Sequence, residues 1–315
     1  MDRRHFIRVA GGGMIASATV LTLPGCSLSS EYPSEAVQAW QGPGEDAEVR
    51  RWILSYAILA PHSHNLQSWM VDLRQPNEIT LYCDLTRLLP QTDPLSRQIM
   101  MSHGTFLELL DLAARRRGLR ADIELFPQGE FGPDKLDTRP VARIRLAPDA
   151  SIKADPLFDQ ILRRRTNREA YQPQEPAAAA LRAIADSVAP HPIRVGFVGA
   201  AQPDALQRHR AIAMDAWRIE LVTPRTIMES YKVLRVGPRE IAQHRDGLSL
   251  NTPMVRAITA LGLFDRSKPP GPDDAATTGQ IKDFNAKIAT TPALDRKSTR
   301  LNSSHSRASR MPSSA

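Results

Sequence analysis

Cysteine is nearly absent from this chain, whose 315 residues hold two, Cys26 and Cys83. Two thiols build neither a disulfide scaffold nor a multi-cysteine zinc site. Aromatic residues are scarce as well, at 5%. No long hydrophobic run is present: the apolar stretch Val9 to Leu23 is short and glycine-rich, too short to read as a membrane span. A one-sided charge is missing too, once the ends are set aside. Of the net +7, residues 1–26 carry +2 and residues 295–315 carry +4, leaving +1 for the body. A near-neutral body gives no electrostatic case for nucleic acid. What remains is ordinary globular material, 42% hydrophobic and 24% charged, which excludes a wholly disordered chain. The length suits one large domain or two ordinary ones, and 25 prolines predict many loops.

The ends read differently from the body. Asp2-Arg3-Arg4-His5-Phe6-Ile7-Arg8 precedes the short apolar stretch, a pattern that looks like a twin-arginine export signal. Leu23-Pro24-Gly25-Cys26 is similar to a lipobox, which makes Cys26 a candidate for lipidation and membrane anchoring. The expected location is therefore the periplasm. From Asp295 the text becomes rich in Ser and Arg, without apolar periodicity. Asp295 to His305 matches one reading frame of a common sequencing adapter, so the expectation is a disordered artefact over 295–315. The natural chain then breaks near Leu294, its C-terminal portion replaced. A genuine Ser/Arg-rich tail is the alternative.

Between the ends, a linker at 27–45 leads to two units, 46–150 and 151–294. In the first, apolar spacing predicts a helix over Asp46 to Leu59, strands over Ser68 to Leu73 and Glu78 to Cys83, and a helix over Arg97 to Arg117 capped by Gly118. Strands at Ile123 to Phe126 and Val141 to Leu146 complete an α+β unit. In the second, helices are expected near Pro156 to Arg163, Ala177 to Val188 and Ala205 to Val222, with a strand at Ile193 to Val198. Thr223 to Asp274 reads as an irregular lid with a short helix near Val255 to Leu263. The two units echo each other: Ala-Pro-His ends a helix and precedes a strand at residues 60–62 and again at 189–191.

Two polar clusters stand out. The first is Ala60-Pro61-His62-Ser63-His64-Asn65-Leu66-Gln67-Ser68-Trp69, dense in donors and acceptors and suited to a planar ligand. Helix-terminating turn chemistry is its bland reading. His62-x-His64 also admits a metal site, if His103 or Asp84 supplies a third ligand. The second cluster is Arg163-Arg164-Arg165-Thr166-Asn167-Arg168. Guanidiniums at the end of a helix suit a phosphate, although basic runs are ordinarily solvated faces. Arg115-Arg116-Arg117 reads as such a face.

Taken together, the clusters resemble the nitroreductase family of FMN-dependent oxidoreductases. Arg164-Arg165-Thr166-Asn167-Arg168 is similar to its phosphate motif, with Thr166 in place of Ser. The loop from Ala60 to Trp69 is similar to its flavin-ring loop, departing at His62 and Ser68. The loop precedes the arginine motif here, which looks like the Acg-like, exported branch, in which two nitroreductase-like units are fused. The stretch Leu88 to Pro94 and Arg245-Asp246-Gly247-Leu248 also resemble that branch.

The resemblance implies an α+β fold of two fused half-units with one composite FMN site per chain. It implies that Arg164, Arg165, Thr166 and Arg168 hold the phosphate. Asn65 and Gln67 would bond the ring edge, with Pro61, His62, Ser63 and His64 against the ring. It names no catalytic side chain, because FMN carries the redox chemistry. The implied activity is reduction of nitro or quinone-like compounds, with NAD(P)H as the family's usual donor, in a pseudo-dimeric monomer or a homodimer. A protein that holds FMN without turnover is the alternative.

Overall fold

The computed structural model describes residues 30–44, 48–132, 135–191 and 193–299. The signal, the lipobox and residues 300–315 lie outside the described residues. The chain is a mixed α and β protein. Residues 30–44, expected as a bare linker, contain a short helix α1 (Ser34–Val37) and a 3₁₀ turn (Gln38–Gln41). Trp40 anchors this segment on the apolar cluster of Leu59, Leu112 and Ile161, a role that composition alone hides.

Helix α2 (Val49–Ala57) starts where Glu48 accepts hydrogen bonds from the main-chain N–H groups of Arg50 and Arg51. Its stripe of Trp52, Ile53, Leu54 and Ala57 is buried, as the 3.6-residue spacing predicts. Arg50 is half-buried and donates from Nη1 to the carbonyls of Leu73, Gln75 and Glu78, at 2.9, 2.8 and 3.1 Å. That fork fixes α2 against the turn joining strands β1 (Trp69–Asp72) and β2 (Glu78–Cys83).

Helix α3 (Arg97–Arg116) is the second long core element. It ends at Gly118, whose φ of +68° is the left-handed conformation that favours glycine. Strands β3 (Leu119–Leu125) and β4 (Ala142–Pro148) follow. The four strands form one antiparallel sheet in the order β1-β2-β4-β3. Strand β3 starts earlier than its expected span because Arg120 and Asp122 interrupt the apolar pattern. They face outward and pair with each other at 2.8 Å, while Arg120 also reaches Asp149 at 2.9 Å. Helices α2 and α3 cover the sheet, and Ile53, Ile79, Leu81, Phe106, Leu110 and Ile144 are fully buried between them.

The remaining elements are helical with small sheets. Helix α4 (Ala178–Ser187) leads to β5 (Ile193–Val198), then to α5 (Pro203–Val222). The expected lid is regular: α6 (Pro224–Lys232), β6 (Leu234–Val236), α7 (Gly237–His244), β7 (Leu248–Leu250) and α8 (Pro253–Ala260). These elements are short, so their periodicity is lost among the prolines and glycines that punctuate them. Strands β6 and β7 pair in parallel. Helix α9 (Ala275–Ala289) packs on α5, with Trp217 stacked on Phe284 at 5.0 Å.

Two expectations change here. The tail from Asp295, expected to be structureless, opens as strand β8 (Leu294–Thr299), antiparallel to β5. Ladder pairing uses main-chain groups, so an open strand edge accepts a segment of almost any composition. Each Ala-Pro-His segment lies between a helix and a strand, α2 and β1 in one case and α4 and β5 in the other, but β1 edges a four-stranded sheet while β5 pairs with β8. Among the described residues, no helix is long and apolar enough to cross a membrane.

The centre of the fold gives a direct stability expectation. Phe106 is fully buried, so Phe106→Ala should lower unfolding stability by about 3–5 kcal/mol in urea titrations. Met101→Ala on the same helix, at 66% exposure, should change it by less than about 0.5 kcal/mol.

Candidate functional site

The loop from Pro61 to Ser68 leaves the end of α2 and enters β1. Its backbone is left-handed at three positions: His64, Asn65 and Gln67 all have positive φ, at 55°, 52° and 50°. Left-handed backbone is easy for Asn and unfavourable for His and Gln. Neighbours on both sides hold the loop in place. From α3, Thr105 Oγ1 donates to the Pro61 carbonyl at 2.8 Å, and Ser102 Oγ accepts from the Ser63 N–H at 3.1 Å. Ser63 Oγ donates to Gln98 Oε1 at 2.8 Å and accepts from His64 Nδ1 at 3.0 Å.

From the other side comes the turn between α7 and β7. The Gly247 N–H donates to the Asn65 carbonyl at 3.0 Å, and Asn65 Nδ2 donates back to the Gly247 carbonyl at 3.3 Å. Gln67 Nε2 donates to the Arg245 carbonyl at 2.9 Å. Gly247 has a φ of +81°, and a Cβ there would run into the main-chain carbonyl of Val233. The turn is fixed by Asp246, which pairs with Arg87 at 2.8 Å and Arg235 at 3.0 Å. Arg87 Nη1 also donates to the Leu66 carbonyl at 2.6 Å. So the amide donors of Asn65 and Gln67, which the resemblance aims at a flavin ring, meet the 245–247 backbone. The void under this loop, lined by His62, Ser63, Arg87 and Asp93 among others, is about 10 Å³, the size of one water.

His62 is fully committed. Its Nδ1 donates to the Ser63 carbonyl at 2.7 Å, so Nε2 is the acceptor, taking the Ser68 hydroxyl at 2.7 Å and the Ser68 N–H at 3.2 Å. Burial, and secondarily the neighbouring His103, His64 and Arg87, lowers its pKa to about 4, so the ring is neutral at neutral pH. With both nitrogens used, the alternative of a His62-x-His64 metal site loses its first ligand. Among the described residues no cluster of His, Cys, Asp or Glu could hold a metal ion. His64 is likewise shifted down by burial, against the opposing pull of Glu229 and Asp93. Glu229, a residue that the sequence pattern did not single out, is buried and takes the Gln91 and Thr92 N–H groups at 2.9 and 2.8 Å. Cys83 is buried and its thiol is pushed up to about 11, which rules it out as a nucleophile.

The arginine motif lies beside the start of this loop. Its approach is a 3₁₀ turn, Pro156–Gln160, in place of the expected α-helix. Arg164 Nη2 donates to the Leu59 carbonyl at 2.9 Å, three residues before His62 and thus within about 11 Å of it along the chain. Arg164 Nε is buried and has no hydrogen-bond partner. Arg165 donates to the carbonyls of Leu162 and Arg164 at 2.8 and 2.7 Å. Neither guanidinium meets a carboxylate among the described residues. Thr166 and Arg168 are exposed on the irregular segment that follows. By contrast, the basic run at 115–117 is only partly a solvated face. Arg115 pairs with Asp111 at 2.6 Å, and Arg117 lies 4.0 Å over the Trp52 ring.

An FMN phosphate fits the arginine end: two adjacent cations without carboxylates, one with an orphaned buried N–H, suit a dianion. The ring end is closed by residues 245–247. Among known proteins, no family model matches the chain. Two Mycobacterium tuberculosis proteins, one from each of two strains and both named as NAD(P)H nitroreductases, are 34% identical to it over 127 residues. The match covers 40% of this chain and 35% of each relative, so the chain spans about a third of the length of the curated relatives it matches.

The histidines make the loop acid-sensitive. The folded-state pKa of His62, about 4, lies below its ordinary 6.5, so the unfolded chain takes up the proton first. Its contribution is therefore complete above about pH 6.5 and is lost as pH falls toward 4; His64 and His103, both shifted down by burial, act in the same direction. Thermal melts between about pH 7 and pH 5 should show a falling Tm, and a shallower fall in His62→Gln.

Proposed function

We propose that the chain is an FMN-binding oxidoreductase of the nitroreductase family, of its exported, internally duplicated branch, reducing nitro or quinone-like compounds. The observation that carries this reading is the pair Arg164 and Arg165. They carry no carboxylate partner among the described residues, and they sit next to the loop that resembles the family's flavin-ring segment. The similarity to the mycobacterial nitroreductases supports it. In this reading Arg164 and Arg165 bind the phosphate, with Thr166 and Arg168 closing from the exposed segment. Pro61, His62, Ser63 and His64 present the loop to the ring. Bound FMN supplies hydride transfer, and the chain's residues supply binding and orientation. Neutral His62 leaves no extra positive charge against the ring. NAD(P)H is the donor by analogy with the relatives' names, and the twin-arginine pattern supports export, with Cys26 as the anchor.

A second reading is a protein that holds FMN without turnover. It is favoured by the short helices and strands of residues 224–260, whose 245–247 turn is hydrogen-bonded to the loop.

The visible absorption spectrum separates these readings from all others. Full-length protein should show bound flavin, and Arg164→Ala/Arg168→Ala should weaken FMN affinity on the order of 100-fold, the loss of two charge-assisted contacts. Riboflavin, which lacks the phosphate, should bind both proteins equally. Bleaching by NAD(P)H and recovery with a nitro compound would mark the reductase; a stable spectrum would mark the holder. A folded, colourless protein would overturn both.

A further inference from the structure

Trp40 stands outside every motif that resembles the nitroreductase family, yet it makes the one aromatic contact of the arginine cluster among the described residues. The Arg165 guanidinium carbon lies 4.3 Å from the Trp40 ring centroid and that of Arg164 lies 5.4 Å away. The ring is half-buried against Leu59, Ile161 and Leu162, so it cannot swing freely. The segment that carries it is anchored further back, where Asn251 Nδ2 donates to the carbonyls of Glu31 and Ser30 at 2.7 and 3.3 Å. We infer that Trp40 is the positioning residue of the phosphate clamp, a neutral platform that holds Arg164 and Arg165 side by side for a phosphate group.

The choice of an aromatic ring has a physical reason. Two neighbouring guanidiniums repel each other, and each long side chain loses rotamer freedom on being fixed. Elsewhere in this chain arginines are fixed by carboxylates, as Arg139 is by Asp137 at 2.9 Å and Arg266 by Glu240 at 2.8 Å. A carboxylate at the clamp would compete with the phosphate for the same N–H donors. The electron-rich face of an indole attracts the cations without occupying those donors and without cancelling their charge. Burial supports the arrangement: desolvation, then the nearby Arg165, disfavours the charged form of Arg164, so an arriving dianion relieves an existing strain.

The inference rests on the FMN reading for its ligand but not for its test. Trp40→Leu keeps the apolar contact with Leu59 and Ile161 and removes the aromatic face; Trp40→Phe keeps a smaller face. Affinities of the full chain for FMN and riboflavin are read from flavin fluorescence. Inorganic phosphate is titrated separately against the Trp40 share of the indole emission, the difference between wild type and Trp40→Phe, which keeps the other three tryptophans. Trp40→Leu should weaken FMN binding about tenfold, leave riboflavin unchanged, and be largely rescued by Trp40→Phe. Equal FMN affinity in wild type and Trp40→Leu overturns the inference while the flavin reading stands. Parallel loss of FMN and riboflavin also overturns it, since it marks a purely structural role. Should wild type bind neither flavin, a phosphate-dependent change in the Trp40 emission keeps the inference for a phosphate ligand and removes the FMN reading. No change in that emission removes both. If Trp40→Leu does not fold, the phosphate titration of wild type against Trp40→Phe decides alone.

Discussion

Asp246 is the contact on which the arrangement of the site depends. Its carboxylate takes Arg87 on one oxygen and Arg235 on the other. Arg87 belongs to the segment after β2, and Arg235 to β6. One side chain therefore joins the sheet-bearing part of the chain to the small helices of residues 224–260. All three groups are partly buried, so removing Asp246 leaves Arg235 without its carboxylate, a larger penalty than the pair's own net worth, while Arg87 keeps Asp84. The ion pair also sets the backbone of the turn. Arg245 and Gly247 are both left-handed around it, and only glycine fits the second position. Once that turn is fixed, the Gly247 N–H meets the Asn65 carbonyl, and the strained loop has its second wall.

Charge is distributed by the same logic across the molecule. Most arginines that shape the fold are matched with a nearby carboxylate or a set of carbonyls, and they act locally. Glu48 and Arg50 start α2, Asp111 and Arg115 brace the end of α3, and Arg120 ties Asp122 to Asp149. Most such exposed pairs add little to stability and act by fixing geometry. Arg164 and Arg165 depart from this pattern. Their donors go to main-chain carbonyls and their faces to an aromatic ring, so their positive charge is left in place. Two adjacent cations without a carboxylate are the feature on which the proposed phosphate site rests.

How much of this was legible beforehand depends on the range of the interaction. Strand β2 and helices α2 and α3 follow from local spacing, because one face of each is buried in a single core. Gly118 is readable as the stop of α3 because only one conformation suits that place. The two polar clusters are visible as text, and the structure brings the start of one beside the other through Arg164 and Leu59. What is not legible comes from partners far apart in sequence. Nothing near Gln91 announces that Glu229 will satisfy it, and nothing near Arg165 points to Trp40. The elements of residues 224–260 are too short to carry a period, and their order is imposed by packing and by Asp246. Strand β8 is invisible for a different reason, since its pairing reads main-chain groups and ignores composition.

Local strain and partners distant in sequence meet in the loop between Pro61 and Ser68. Left-handed His64 and Gln67 raise the energy of the segment by roughly 1–2 kcal/mol each, while Asn65 adopts that conformation readily. An isolated peptide of this sequence would relax. Here the strain is opposed by bonds from α3 on one side and from the 245–247 turn on the other, each worth about 1 kcal/mol net. The balance is close, and it is reached only when both walls are present. The loop is thus rigid because of groups more than 150 residues away in sequence, with separations of 182 for Asn65 and Gly247 and 178 for Gln67 and Arg245. A ligand that needed the amide donors of Asn65 or Gln67 would have to replace those bonds with equally good ones. A planar ring edge carrying carbonyls and ring nitrogens can do so, whereas an apolar ligand would leave the donors unpaired. On the proposed FMN reading, the closed loop would select by hydrogen-bond exchange and the arginine end by charge.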